Sequence, residues 1–189
     1  MASRPNGRGL VILDRDGVIN RDSPAFVKST DEWIPLPGSI RAIAALDRAG
    51  FTVTIASNQS GISRGLFDRN ALRSMHRKLR RLVATEGGHV ARIVVCPHGP
   101  DDGCACRKPR AGLLRRLGRH YKTSLDGVPV IGDSLRDLQA AARAGARPIL
   151  VRSGNGRNTE AALPGELAAT EIYDDLAAAA AALLRERNK

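Results

Sequence analysis

The stretch "GLVILDRDGVIN", residues 9–20, decides how the rest of the chain is read. Leu10 to Leu13 is an apolar run of the kind used by a strand buried on both faces. It ends in two carboxylates at alternate positions, Asp14 and Asp16, followed at once by Gly17. Like charges raise each other's cost of ionising. A turn would select the same residue types, so what stands at the other strand ends decides between a turn and a site.

Outward from this stretch the chain alternates strand and helix. "FTVTIAS", "VARIVVC", "VPVIGD" and "RPILV" read as four further strands. Between them lie helical patterns: residues 38–50, stopping at Gly50; 68–85, with Asp68 as N-cap; 111–121; and 135–146, stopping at Gly145. An Ala-rich helix over residues 174–187 closes the chain, with Asp174 or Asp175 near its start. This order predicts an α/β fold with a doubly wound parallel sheet, whose ligands bind at the carboxyl ends of the strands near the reversal of strand order. The 189 residues are expected to form a single domain with its core at about residues 10–151. The stretch from Asn20 to Gly38 is too short for a folded cap domain. "GNGRN" at Gly154–Asn158 lacks a third glycine and does not follow the first strand, so it reads as a surface loop.

The net charge is +11 and aromatic residues make up 3%. Arginine is scattered over the helical segments without interleaved aromatics, which reads as solvated helix faces, and no nucleic-acid partner is expected. No apolar stretch has membrane length, and the N-terminus lacks the apolar segment of a secretory signal. The expectation is a cytoplasmic monomer that does not engage a membrane.

Each strand end carries chemistry. The first gives Asp14 and Asp16, the second "SNQSG", the third "CPHGPDDGCACRKP" and the fourth "GDSLRD". Two acids stay ionised together when a cation sits between them. Carboxylates with one backbone carbonyl suit a hard divalent ion, Mg²⁺ for preference, with Asp133 as the further carboxylate. The third loop holds all three cysteines, Cys96, Cys104 and Cys106, together with His98. This C-x-H…C-x-C pattern matches a tetrahedral zinc site, with tighter spacing than most zinc fingers. Four protein ligands leave no position for water, so the zinc is structural, and it fixes Arg107 and Lys108, which follow at once.

"DRDGVIN", "SNQSGISRG", "CRKP" and "GDSLRD" together resemble the four motifs of the haloacid dehalogenase-type phosphatases, from Leu10 to about Val151. The resemblance implies an aspartyl-phosphate mechanism. Asp14 is then the nucleophile and Asp16 the general acid and base. Mg²⁺ lies on Asp14, the Asp16 carbonyl and Asp133, while Ser57 and Lys108 stabilise the phosphoryl group. Asn58, Gln59, Ser60, Arg107, Lys108 and Ser134 fall to substrate binding. Asp137 either holds Lys108 or the metal's waters, or is an exposed acid at a helix N-terminus.

The cysteine loop narrows the resemblance to the phosphatases that remove the C7 phosphate of D-glycero-D-manno-heptose 1,7-bisphosphate in bacterial lipopolysaccharide-core biosynthesis. The related histidinol-phosphate phosphatases are the alternative, and a polynucleotide 3′-phosphatase or nucleic-acid-binding zinc protein is another. Asn20 and Asp22 are placed to bind sugar hydroxyls, by position and polarity alone. Trp33 and Ile34 read as the hydrophobic foot of their loop.

Overall fold

In the computed structural model, residues 9–187 are described. Six parallel strands form one sheet in the order β3-β2-β1-β4-β5-β6. They are β1 (Leu10–Leu13), β2 (Thr52–Asn58), β3 (Arg92–Cys96), β4 (Pro129–Gly132), β5 (Arg147–Val151) and β6 (Glu171–Tyr173). The strand order reverses between β1 and β4, which pair through Ile12 with Val130 and Leu13 with Ile131. That reversal is where the doubly wound fold opens a crevice.

Strand side chains alternate between faces, and β1 shows the consequence. Val11 and Leu13 join one apolar cluster with helices α1 (Ser39–Arg48), α2 (Arg69–Thr85) and α6 (Leu176–Arg187). Leu10 and Ile12 join another on the opposite face, with α3 (Gly112–Tyr121) and α4 (Leu135–Arg143). Burial on both faces explains why β1 is a continuous apolar run.

The caps follow the sequence closely. Asp68 accepts the Ala71 N–H at 2.7 Å at the start of α2. Asp175 accepts the Ala178 N–H at 2.8 Å at the start of α6. Gly50 and Gly145 both adopt the left-handed conformation expected of a stop.

Three expectations are corrected. β6 is a sixth strand, too short to show a period. "GNGRN" is more than a surface loop: it runs into α5 (Gly156–Ala161) and packs against the strand ends. Of the loop's apolar pair, Trp33 is buried in the core but Ile34 is exposed. Lys78 of α2 pins the backbone there, donating to Thr30 O at 2.6 Å and Trp33 O at 2.9 Å. Among the described residues, no helix is long and apolar enough to cross a membrane.

Candidate active site

The chain turns out of β1 at Asp14, whose N–H donates to Ile131 O of β4 at 2.8 Å. The carboxyl group therefore stands at the reversal of strand order. It faces a cavity of about 210 Å³ that Asp16, Ser57, Lys108 and Asp133 also line. The Lys108 ammonium lies 2.8 Å from Asp14 Oδ1 and 2.5 Å from Asp137 Oδ1, and donates to Ala56 O at 2.8 Å. Its three donors are thus all engaged, although the side chain is only 3% exposed. Burial by itself would favour neutral lysine, but the Asp137 and Asp14 charges outweigh it and hold the ammonium well above the usual range.

Asp133 is supported from the segment after β5. Its Oδ2 accepts the Asn155 N–H at 2.8 Å, and its backbone carbonyl accepts the Thr159 hydroxyl at 2.8 Å. Gly17 and Gly154 lie so close that a Cβ on either would overlap the Asp133 carboxylate. Both have positive φ, so glycine is needed for space and for backbone conformation alike.

Burial, together with the Asp137 and Asp16 charges, pushes Asp14 up to about 7 despite the lysine. Burial, Asp137 and Asp14 push Asp133 up to about 8. Acids that resist ionising beside each other fit a divalent cation. Asp14, Asp133 and Asp137 bring carboxylate oxygens within 4.8 Å of one another, and since Asp137 is already engaged by Lys108 and Ser134, Asp14 and Asp133 are the ligands that fit. The folded chain retains these protons where the unfolded chain, near 3.8, has lost them. Their contribution to stability therefore falls as pH rises from about 4 to about 8. A cation that replaces the protons reverses that loss. The rise in melting temperature on adding Mg²⁺ is accordingly expected to be small near pH 5 and to grow up to about pH 8. Thermal melts with and without Mg²⁺ check this, and an equal shift at both ends would contradict it.

Asp16 is held quite differently. Burial would raise it, but the Arg15 guanidinium and hydrogen bonds from Arg15, Asn20 and Gln59 hold it below the usual carboxylate range. Arg15 Nη2 reaches both carboxylate oxygens, at 2.8 and 2.9 Å. Asn20 Nδ2 donates to Oδ1 at 2.8 Å and Gln59 Nε2 to Oδ2 at 2.9 Å. Two neighbouring acids are thereby shifted in opposite directions, Asp14 up and Asp16 down.

The end of β3 and the loop that follows gather Cys96, His98, Cys104 and Cys106. Their ligating atoms all lie within 4.8 Å of one another, and the cysteines are free. Sγ–Sγ separations are 3.2 Å for Cys96–Cys106 and 3.6 Å for Cys96–Cys104 and Cys104–Cys106. His98 Nδ1 lies 3.3 Å from Cys106 Sγ. Vertices about 3.8 Å apart are expected around zinc with Zn–S near 2.3 Å. The four side chains fit such an ion. Burial and the hydrogen bond with Cys106 push the Cys96 thiol up to about 12, while hydrogen bonds from the Arg107 backbone and the neighbouring thiols bring Cys104 down to about 7. A cation among them would favour the thiolate form of all three.

Residues 105–179 match the family described as HAD-hydrolase-like. Residues 11–136 match the family described as Polynucleotide kinase 3 phosphatase, which places the motif-bearing part of the chain in that family too. A D-glycero-beta-D-manno-heptose-1,7-bisphosphate 7-phosphatase of Bordetella bronchiseptica is 59% identical over 177 residues, covering 94% of this chain and 98% of that protein. The enzyme of the same name from Pseudomonas aeruginosa is 55% identical over 179 residues, covering 94% and 99%. The crystal structure of the B. bronchiseptica phosphatase, complexed with magnesium and phosphate, superposes with a TM-score of 0.91 over 94% of this chain and 98% of that one. The chain belongs to the heptose-1,7-bisphosphate 7-phosphatases, within the haloacid dehalogenase-like fold.

In this heptose-bisphosphate phosphatase fold, the residues expected at the site divide into two groups. Asp14, Asp16, Ser57, Asn58, Gln59, Ser60, Arg107, Lys108, Asp133, Ser134 and Asp22 all line the cavity. Several side chains nevertheless serve neighbours. Asn58 clasps the backbone of Lys108, accepting its N–H and donating to its O, both at 3.0 Å. Gln59 donates to Ser57 Oγ at 2.8 Å as well as to Asp16. Ser134 caps α4 and donates to Asp137 Oδ2 at 2.5 Å. Arg107 donates to His98 O at 3.1 Å, tying the cavity wall to the cysteine loop. Asn20 is a correction: it is fully buried, does not line the cavity, and its amide goes to Asp16 and to Arg21 O. Of the two readings of Asp137, the exposed helix acid is excluded, because the residue is buried against Lys108.

Proposed function

We propose that the protein removes the C7 phosphate of D-glycero-beta-D-manno-heptose 1,7-bisphosphate through a phosphorylated Asp14. One observation carries this reading: a half-buried, lysine-paired Asp14 beside a differently tuned Asp16, in a chain 59% identical to a phosphatase solved with magnesium and phosphate.

The roles rest on position: Asp14 stands at the strand-order reversal beside Lys108, and Asp16 lines the same cavity. Asp14 attacks phosphorus in line, and the bond to the sugar oxygen breaks. Lys108 sits beside the attacking carboxylate and offsets charge on the phosphoryl oxygens, and the Ser57 hydroxyl lies on the same wall. Mg²⁺, bound by Asp14 and Asp133, would supply further charge neutralisation. Asp16 gives its proton to the leaving oxygen. An arriving phosphate dianion raises its proton affinity, countering Arg15. Once the sugar has left, the same anchored carboxylate takes a proton from water, which then cleaves the acyl phosphate. Arg15, Asn20 and Gln59 keep Asp16 in line for both steps.

The second phosphate needs its own cations. Arg107 and Arg136 line both the catalytic cavity and an adjoining cleft of about 470 Å³, which also holds Arg110 and Arg143. Replacing exposed Arg136 with Ala is expected to raise KM for the bisphosphate by about tenfold, with kcat little changed. A monophosphate lacking the second group serves as comparison, and its KM should barely move.

Phosphate release from the β- and α-anomers of the bisphosphate and from histidinol phosphate, with Mg²⁺, tests the assignment. The β-anomer is expected to lead histidinol phosphate by about two orders of magnitude in kcat/KM. A lead for histidinol phosphate would keep the mechanism and overturn the substrate.

A further inference from the structure

β3 is an outer strand: one edge pairs with β2 and, among the described residues, no strand pairs with the other. A cleft of about 410 Å³ runs along it and touches Arg92, Ile93, Val94 and Val95 in succession. Consecutive strand side chains point to opposite faces, so a cavity meeting four in a row is meeting the strand's edge. That edge presents backbone N–H and C=O groups with no strand to take them.

The walls are cationic. α2 contributes Arg69 and Arg73, α3 contributes Arg116, and Arg92 stands at the start of the strand; no Asp or Glu lines the cleft. Arg69 and Arg116 are exposed, and none of the four forms an ion pair among the described residues. Among the described residues, Arg73 hydrogen-bonds only a neutral amide, Asn70 Oδ1, at 3.3 Å, and Arg92 Nη1 lies 3.1 Å from His120 Nε2. Ile62, Leu72 and Pro97 add apolar surface between these cations.

We propose that this groove docks an extended acidic segment of a partner protein, which joins the sheet beside β3 with its carboxylates on Arg69, Arg73, Arg92 and Arg116. Strand addition draws affinity from main-chain hydrogen bonds and specificity from alternate side chains. Here the favoured pattern alternates acidic with apolar residues. A second copy of this chain is a poor occupant, because pairing two β3 edges would bring two sets of arginines face to face. The docked segment is short. Pro97 has no N–H to offer, and its carbonyl already accepts from Ser63 N at 3.3 Å.

Fluorescence anisotropy of a labelled peptide with Glu at alternate positions and Val or Thr between tests this on the full chain with Mg²⁺. Saturable binding is expected, about tenfold weaker to the Arg69→Ser/Arg73→Ser variant, whose phosphatase turnover is unchanged. The same peptide N-methylated at alternate backbone amides keeps its charge, and it too should bind about tenfold more weakly. Three results would overturn the proposal: no binding of the peptide, equal binding of the methylated form, or a double variant that binds as well as the natural chain. Capture of a single-stranded oligonucleotide through these arginines, with the peptide left free, would assign the groove to nucleic acid instead.

Discussion

Asp14→Asn is expected to lower kcat on the heptose bisphosphate by about four orders of magnitude or more, while the Mg²⁺-free protein at about pH 8 melts no lower than its parent. The two halves of this result have one cause. Asp14 sits where a nucleophile is needed, at the strand-order reversal beside Lys108, and that position costs stability. Burial and neighbouring acids push its carboxyl up to about 7, so above that pH the charged form is held against its preference. Asn keeps the shape and removes the charge. Lys108 loses one partner but retains Asp137 at 2.5 Å and Ala56 O at 2.8 Å, so no cation is left unpaired in the interior. Phosphate release and thermal melts on the same preparation check both halves. Turnover within about tenfold of the parent would remove Asp14 from the nucleophile's role. A melting temperature lowered by several degrees would show that the carboxylate stabilises the fold, contrary to its raised pKa. Stored strain at catalytic groups commonly behaves as expected here.

The parts of this site that could be read from sequence are those where a residue type has few structural uses at a strand end. Asp14, Asp133 and the cysteine loop stand at the carboxyl ends of apolar runs, and the alternation of strand and helix fixes where those ends meet. What was hidden depends on where side chains turn after the backbone is placed. Asn20 carries a polar group four residues past Asp16, and nothing in its spacing distinguishes a sugar contact from a brace on that acid. Arg15 lies between the two acids, where strand alternation alone would point it away from both. Yet the chain has left β1 by then, and the guanidinium folds back onto Asp16. "GNGRN" hints at phosphate binding by its glycines, but its use is different: Gly154 makes room for the Asp133 carboxylate and Asn155 N–H holds it. The stronger signal is its position, at the carboxyl end of the fifth strand, where a glycine-bearing segment meets the other strand ends. Asp137 could have been settled by its place at the third position of α4, where a capping box folds the side chain back onto Ser134 and keeps it beside the strand ends.

Loss of zinc is expected to act on the same centre from outside it. Cys104→Ser removes one corner of the cluster, and the remaining three ligands bind the ion far more weakly. The loop between β3 and α3 contains little that would bury itself unaided. Its order comes from the cluster, from Arg107 on His98 O, from Arg110 on Cys104 O and from Gly99 N–H on Asp102 at 2.8 Å. Both arginine contacts end on carbonyls of cluster residues, so they fail with the metal. Lys108 follows two residues after Cys106, and Asn58 holds its backbone. The lysine is therefore retained but loosened, whereas the Arg107 wall is lost. The melting temperature should fall by roughly 10 °C, corresponding to about 4 kcal/mol in a chain of this size. Turnover should drop by about two orders of magnitude even below the new melting point, because positioning rather than chemistry is damaged. Zinc content by elemental analysis, melting curves and phosphate release with saturating Mg²⁺ separate these effects. A variant that lost its zinc yet kept full turnover would confine the cluster to folding and detach it from the placement of Lys108. Retention of zinc and of the melting temperature would remove Cys104 from the ligand set altogether.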